Sequence, residues 1–461
     1  MDTNINQDMY RYRLLTCIVM EAAAPLAAGS GKKSIMTDST VARDANGLPY
    51  IPGTSLAGVI RHAMKKHADI DQWMGYQKAD QGKGSRLAIT EARVLDSEGK
   101  PADGLIPDAG KDPFLGSFRV LPIRQHVRLT HRGVAADMGK FDEEVVPKGA
   151  RFCFAMELLA DEKDESEKLM ASVLDCIKAD SFRVGGGSRS GFGAMKIVST
   201  GKRTIDLRDK ADRDAYLNKS SRLDPAWDGF SEAVSNPAEV KDGSFISYTL
   251  AIAPDDFMFF GSGFGRDEVD MTYVRNPAIV WDGGKGRFAK EDEFILMPAS
   301  SVKGAISHRT AYYYNQLVGI FSDRLPPDEL EEHTGDKNAA VRALFGTAGD
   351  GHGKGKARGL ALFSDVTVKK PGSARDKILN HVSIDRFTGG AINGALFSEE
   401  ALFAKGTPFT MKILVSKDAA KKEHVLEAFE KALDDVCSGI LPLGGGIGRG
   451  NGTFRGSWKK E

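Results

Sequence analysis

Four short signatures occur twice in this chain, in the same order, and that duplication limits the fold more than any other feature. Gly29-Ser30-Gly31 returns as Gly261-Ser262-Gly263, and Pro52-Gly-Thr-Ser-Leu-Ala-Gly-Val-Ile-Arg-His62 returns as Pro298-Ala-Ser-Ser-Val-Lys-Gly-Ala-Ile-Ser-His308. His126-Val127 is matched by His381-Val382, and Val184-Gly-Gly-Gly-Ser-Arg-Ser-Gly-Phe-Gly193 by Leu443-Gly-Gly-Gly-Ile-Gly-Arg-Gly-Asn-Gly452. The offset between partners grows from 232 to 246, 255 and 259 residues along the chain. Two homologous units give such a drift when the second has slightly longer loops. The expected organisation is one domain over residues 1–200, a linker or insertion over 201–243 that is rich in Asp, Lys, Ser and Pro, and a second domain over 244–461.

Each unit repeats one pattern of elements. Opening strands are expected near residues 10–21 and 245–253. Leu56, Val59, Ile60, Ala63 and Met64 then fall on one face of a helix, with Val302, Ala305 and Ile306 beginning the equivalent stripe. Thr54 or Ser55 is the expected N-cap. Strands follow near 86–94 and 151–159, and near 357–366 and 408–415. A second helix carries Leu169, Met170, Val173, Leu174 and Ile177, and its counterpart carries Val425, Leu426, Phe429, Leu433 and Val436. A glycine-rich loop and a short strand close each unit. Strand, helix, two strands, helix, strand is the order of a ferredoxin-like α+β domain, the layout of an RRM.

The glycine strings do not signal a nucleotide fold. A dinucleotide fingerprint lies between a strand and the helix it opens, whereas here a helix precedes each loop. Gly31-Lys32-Lys33 lacks the Ser or Thr that follows a Walker A lysine. One glycine is enough to cap a helix, yet Gly185–Gly193 uses five of nine positions and Gly444–Gly452 six of nine. Such density favours a backbone brought close to a ligand, with N–H groups open to phosphates and Arg189 and Arg449 beside them.

Composition excludes little. The 63 basic residues balance 63 acidic ones, so any nucleic-acid surface must concentrate its cations locally, and Arg183, Arg189 and Lys196, with Arg449 and Arg455, are candidates. Cys17, Cys153, Cys176 and Cys437 are too scattered for zinc or a disulfide framework and are expected to be buried thiols. No apolar run approaches membrane-spanning length, and the opening stretch lacks a signal peptide's apolar core, so a cytoplasmic location is expected.

The helix-start motif with a glycine-rich loop before the last strand resembles the RAMP superfamily of CRISPR-associated proteins. Asp38-Ser-Thr-Val-Ala-Arg-Asp44, followed by Gly47-Leu-Pro-Tyr-Ile-Pro-Gly-Thr-Ser55, is similar to the repeating backbone subunit of type III effector complexes. His381-Val-Ser-Ile-Asp-Arg-Phe-Thr-Gly-Gly-Ala-Ile-Asn-Gly-Ala-Leu-Phe397 resembles that family's thumb hairpin, and Leu344-Phe345-Gly346 fits its Leu-Phe-Gly element. The likeness spans nearly the whole chain except 201–243, and the tandem fusion resembles subunits of type III-D systems.

The resemblance implies a subunit that stacks along a guide RNA. It places RNA contacts on the helix starts, at Ser55, Arg61, Ser301 and Lys303, and on the loops, at Gly185, Gly186, Gly187 and Arg189 and at Gly444, Gly445, Gly446 and Arg449. It implies thumbs near 124–139 and 381–394, with Arg128, Arg132, Asp385 and Arg386, which wedge between base pairs and flip a nucleotide. Leu129-Thr130-His131-Arg132 departs from the Ile384-Asp-Arg386 pattern. In catalytic members an aspartate ahead of the helix cuts target RNA with a divalent metal, Mg2+ or Mn2+, and Asp38 occupies that place as catalyst and metal ligand. The implied partners are guide RNA, complementary target RNA, other RAMP subunits and the large polymerase-like subunit.

The chemistry suits a carboxylate. RNA carries its own 2′-OH nucleophile, a flipped nucleotide can align it with phosphorus, and a carboxylate can take its proton or hold a metal against the phosphate. In the second unit two alignments compete. One puts Arg275 or Asn276 at the catalytic place, and the other puts Asp270 there, with Asp267 nearby; Asp270 is favoured. Blander readings stand beside these: Asp38 as a turn cap, His62 and His308 as packed or solvated side chains, and Tyr312, Tyr313 and Tyr314 as core and rim. The alternatives to target cleavage are a non-catalytic guide-binding scaffold and a guide-processing endoribonuclease working through histidine.

Overall fold

The first strand, β1 (Tyr12–Ala22), is buried on both sides, and the alternation of its side chains explains how. Leu14, Ile18, Met20 and Ala22 enter the main core, whereas Cys17 and Val19 point to the opposite face, beneath Leu223 and Phe230. These features come from a computed structural model that describes residues 10–35, 37–65, 69–78, 80–326, 329–347 and 355–461.

The first unit continues through α1 (Gly53–Ala63), β2 (Leu87–Ile89), β3 (Arg151–Ala160), α2 (Lys163–Lys178) and β4 (Met195–Asp206). β1 lies between β3 and β4, antiparallel to both, and β2 pairs with the outer edge of β3. The order β4-β1-β3-β2 is that of a ferredoxin-like sheet. Leu56 and Ile60 of α1 and Leu169, Met170, Val173, Leu174 and Ile177 of α2 cover one face.

The second unit repeats this with β5 (Phe245–Pro254), α3 (Ala299–Leu317), β6 (Ala361–Phe363), β7 (Phe409–Ser416), α4 (Val425–Ser438) and β8 (Phe454–Lys460), in the order β8-β5-β7-β6. Even the edge register agrees, since Leu87 faces Leu158 and Ala361 faces Val415. The tandem ferredoxin-like architecture read from the sequence is the one observed.

Each unit inserts a hairpin before its third sheet strand. The first thumb pairs Ile123–Leu129 with Ala135–Glu144, and the second pairs Arg375–Ile384 with Ala391–Phe403. Both are longer than the expected 124–139 and 381–394. Exposed, charged arms such as Arg375, Asp376 and Lys377 give no apolar alternation by which a strand is recognised.

Residues 201–243 begin as the end of β4, form a helix over Lys210–Asn218, and return in the strand Glu232–Ser235, which pairs with β4. Leu223 and Phe230 then cover the back of the first sheet. A second hairpin, Ile279–Asp282 with Lys285–Phe288, leaves the second unit and completes the first core. Its Trp281 Nε1 donates to Gly149 O at 2.8 Å, and the Arg151 guanidinium lies 4.1 Å from the indole centroid.

Two local expectations are corrected. Neither Thr54 nor Ser55 caps α1: Pro52 occupies the cap position, its carbonyl accepts from Ser55 and Leu56, and no side chain caps the helix. Of the four thiols only Cys17 and Cys153 are buried, Sγ to Sγ at 3.4 Å across neighbouring strands, whereas Cys176 and Cys437 are partly exposed; all four are free.

Candidate nucleic-acid interface

Asp38 and Asp270 hold equivalent places. The Asp38 N–H donates to Asp142 Oδ1 at 2.8 Å and Asp38 Oδ2 accepts from the Asp142 N–H at 3.3 Å, which ties the aspartate turn to the base of the first thumb. In the second unit Asp270 N donates to Ser398 Oγ at 3.0 Å, and Asp270 Oδ2 accepts from Ser398 N at 2.7 Å and from Ser398 Oγ at 3.0 Å. The flanking framework matches as well. Ser30 and Thr40 hydroxyls meet at 2.7 Å and those of Ser262 and Thr272 at 2.9 Å, while Arg43 reaches Glu144 at 3.2 Å and Arg275 reaches Glu400 at 3.1 Å. Arg275 is thus the counterpart of Arg43, and the Gly-Ser-Gly alignment is the one the geometry follows. The two turns differ chemically, because the donors from Ser398 hold the Asp270 carboxyl below the usual carboxylate range.

The thumbs share a base that the sequence reading did not assign to the site. His126 stacks on Phe141 at 4.9 Å with Nε2 3.2 Å from Glu143, and His381 stacks on Phe397 at 4.9 Å with Nε2 3.2 Å from Glu399. The repeated His-Val pair was the available signal; its aromatic and acidic partners sit on the opposite arm, out of local view. Arg128, Arg132 and Arg386 are exposed along the thumbs. Asp385 instead builds the tip, its carboxylate accepting from the N–H groups of Phe387 and Thr388 and the Thr388 hydroxyl.

The glycine loops answer mainly to their own backbone. Gly185, Gly187, Gly191 and Gly193 have positive φ, as do their counterparts Gly444, Gly446, Gly450 and Gly452. A Cβ on Gly185 would lie 2.4 Å from Ala27 O, and one on Gly444 2.4 Å from Phe259 O. Neither loop caps a helix, since the C-cap of α2 is Ala179 and that of α4 is Gly439. Glycine density therefore reflects a tight, repeated loop shape; Gly186 and Gly448, free of such crowding, are the positions where space stays open to a ligand.

Most of the cations expected to concentrate charge are engaged within the protein. Arg183 is half-buried and donates to Asp180 O, Phe182 O and Ser364 Oγ, Lys196 pairs with Glu21, and Arg455 pairs with Asp255. Arg61 holds Met74 O and Gly75 O and pairs with Asp71. Arg449 lies 2.5 Å from the buried Glu399 carboxylate. Arg189 crosses to the second unit, where its Nε donates to Gly359 O at 2.5 Å, and burial brings its pKa down to about 10. Lys303 sits beside Ser190, and burial with Arg189 nearby brings it down to about 8.

Between the units lies a cavity of about 1390 Å³ that gathers many of the expected contacts. Arg128 and Arg189 come from the first unit, and Asp270, Ser301, Lys303, Gly444 and Gly445 from the second. His308 lines it too and hydrogen-bonds to the backbone of Leu129 in the first thumb; burial lowers its pKa. Asp38, Ser55, Arg61, Gly185, Gly186 and Arg449 lie outside this cavity. Tyr313 bonds Asp435 and Tyr314 packs on the core, while Tyr312 lines the cavity half-exposed.

The family model described as the RAMP superfamily matches this chain twice, over residues 19–196 and 282–455. The chain belongs to the RAMP superfamily. Among curated proteins none matches the chain. RAMP proteins are associated with type III CRISPR effector complexes, work with RNA in multi-subunit assemblies, and include some endoribonucleases. No helix among the described residues is long and apolar enough to cross a membrane. Each RAMP match contains a glycine loop, a helix start and a thumb; the first contains the Asp38 turn, while the Asp270 turn precedes the second match.

Proposed function

We propose that this chain is a two-unit backbone subunit of a type III effector complex, of the type III-D kind, that holds a guide RNA and cuts complementary target RNA at its aspartate turns. The observation that carries the reading is the repetition of one aspartate turn, Asp38 and Asp270, strapped in each unit to the base of a thumb hairpin. The inter-unit cavity supports the guide-binding half, since at about 1390 Å³ it exceeds the usual size of a small-ligand pocket and combines a helix start, a glycine loop and cations.

The chain's residues divide the work. A thumb that unstacks a nucleotide leaves its 2′-OH free to line up with the adjacent phosphorus. The Asp38 carboxylate takes the hydroxyl proton as that oxygen bonds to phosphorus. The bond to the 5′ oxygen breaks, and this oxygen takes a proton from solvent, leaving a 2′,3′-cyclic phosphate and a 5′-hydroxyl. Among the described residues no three His, Cys, Asp or Glu side chains are grouped as a metal cage. Asp38 and Asp142 nevertheless present hard oxygen donors, which suits Mg2+ or Mn2+ completed by water and RNA phosphates. Such an ion, when bound, supplies positive charge beside the phosphate.

The deciding experiment uses the complex reconstituted with guide RNA, the other RAMP subunits and the large polymerase-like subunit. Asp38→Ala and Asp270→Ala should each remove one target-cleavage product while target binding persists. Cleavage that survives the double variant makes the chain a guide-binding scaffold. Cutting of repeat RNA by the purified chain in EDTA makes it a guide-processing nuclease.

A further inference from the structure

Helix α3 runs about two turns beyond its counterpart in the first unit, and the added part carries an aromatic side chain that neither the aspartate turns nor the glycine loops use. With His62 and His308 aligned, α1 ends one residue later at Ala63, whereas α3 continues to Leu317. Ser301, Ala305, His308 and Tyr312 fall at helical spacing and all line the cavity between the units, so one face of α3 forms a wall of it. That wall begins at the helix start, where Lys303 sits near Arg189, and reaches Tyr312 about three turns later.

Tyr312 is braced. Asp435 of α4, almost fully buried, accepts from the Tyr313 hydroxyl at 2.9 Å and lies 3.1 Å from Arg309 Nε. Arg309 in turn places its guanidinium 5.5 Å from the Tyr312 ring centroid, and the Tyr313 ring crosses that of Tyr312 at 5.2 Å and 74°. The ring is thus fixed by two neighbours, yet 56% of Tyr312 stays exposed. Phe264 of the Asp270 turn and Ile447 of the second glycine loop line the same cavity and are also exposed. Apolar and aromatic groups left in water, with cations at one end of the same space, match a ligand that is flat and apolar at one end and anionic at the other.

We propose that Tyr312 is a stacking platform for one unstacked base of a single RNA strand whose phosphates meet Lys303 and Arg189. This rests on RNA binding by the cavity, as read above, and adds the group that receives the base. The His308 ring hydrogen-bonds to the backbone of Leu129, one helical turn before Tyr312, so the first thumb sits over the face of α3 that carries the platform. Every base has a π-face, so the platform accepts any of them without reading sequence. A ring already braced by Arg309 and Tyr313 loses little freedom when a base settles on it. Because α1 stops before the corresponding position, the subsite belongs to the second unit.

Fluorescence anisotropy of the full chain tests this with two probes, a single-stranded RNA and an abasic strand of the same length and phosphate backbone. The wild type should bind the RNA more tightly than the abasic strand. Tyr312→Ala should weaken RNA binding about tenfold and leave abasic binding and the salt slope unchanged, because a stacking contact is lost and no phosphate contact is. Tyr312→Leu, apolar but not flat, should lose as much, and Tyr312→Phe, which keeps the ring, should bind like the wild type; thermal melts confirm that each folds. Lys303→Met supplies the contrast, weakening both probes alike. Tyr312→Ala and Tyr312→Leu variants that weaken both probes equally, or neither, would overturn the platform while leaving RNA binding in place. A wild-type chain that binds neither probe would overturn both the platform and the reading beneath it.

Discussion

Arg124 and Asp365 are 241 residues apart in the chain, yet Arg124 Nη1 lies 2.9 Å from Asp365 Oδ2 with both groups shut off from solvent. One ion pair therefore joins the base of a thumb to the start of the neighbouring unit's first helix. Removing one partner strands the other. Asp365→Ala should lower stability by about 3–5 kcal/mol, and the joint change Arg124→Leu with Asp365→Leu should cost much less, leaving mainly the lost cap on Ala299. Denaturant unfolding of the wild type, Asp365→Ala and the joint variant measures this; equal losses for the single and joint variants would mean that stranding one partner of the pair costs little.

The glycine loops separate shape from recognition. Gly185→Ala and Gly444→Ala place a Cβ against a backbone oxygen at positive φ, so each should lose about 1–3 kcal/mol. Gly186→Ala meets nothing closer than 3.6 Å and should stay within about 0.5 kcal/mol of wild type. Thermal melts rank them, and a Gly186→Ala loss as large as the others would show the loop to be rigid throughout.

Lys303 should give RNA binding a pH signature. Burial and Arg189 bring its pKa to about 8, so its charge is present below that pH and lost as pH rises through it. Affinity for single-stranded RNA should fall between neutral and mildly alkaline pH. Lys303→Arg, which keeps its charge throughout, should flatten that dependence, and Lys303→Met should bind weakly at every pH with a smaller salt slope. Fluorescence anisotropy across pH and salt reads all three; a pH dependence that persists in Lys303→Met would assign it elsewhere.

The two aspartate turns should not behave alike. Ser398 donates to Asp270 through both its N–H and its hydroxyl, which favours the ionised carboxylate. Ser398→Ala removes one donor and raises the Asp270 pKa, so the acid limb of second-site cleavage should move to higher pH while first-site cleavage is unchanged. The reverse outcome, a shift only at the first site, would show that the products had been assigned to the wrong turns.

The sequence disclosed what is local and periodic. Leu56, Ile60 and Val425 to Val436 fell on helical faces, and the drifting repeat located both glycine loops and both aspartates. What it withheld depends on contacts across units. Nothing near Arg189 says that its guanidinium crosses to Gly359, and nothing near Asp365 says that it caps Ala299 in partnership with a thumb. Ser55 resembled an N-cap because it precedes an apolar stripe, but Pro52 takes the cap position first. Trp281 offered no hint of which core would bury its indole.

That tryptophan has a consequence for how the protein is made. The hairpin of Ile279–Asp282 and Lys285–Phe288 is encoded in the second half but finishes the hydrophobic interior of the first. A nascent chain whose N-terminal half has left the ribosome still lacks this closing piece, and must hold an apolar slot open until translation passes residue 288. Dividing the gene between its two repeats would leave one product with that vacant slot and the other with a bare indole, so the fusion, once acquired, is hard to undo.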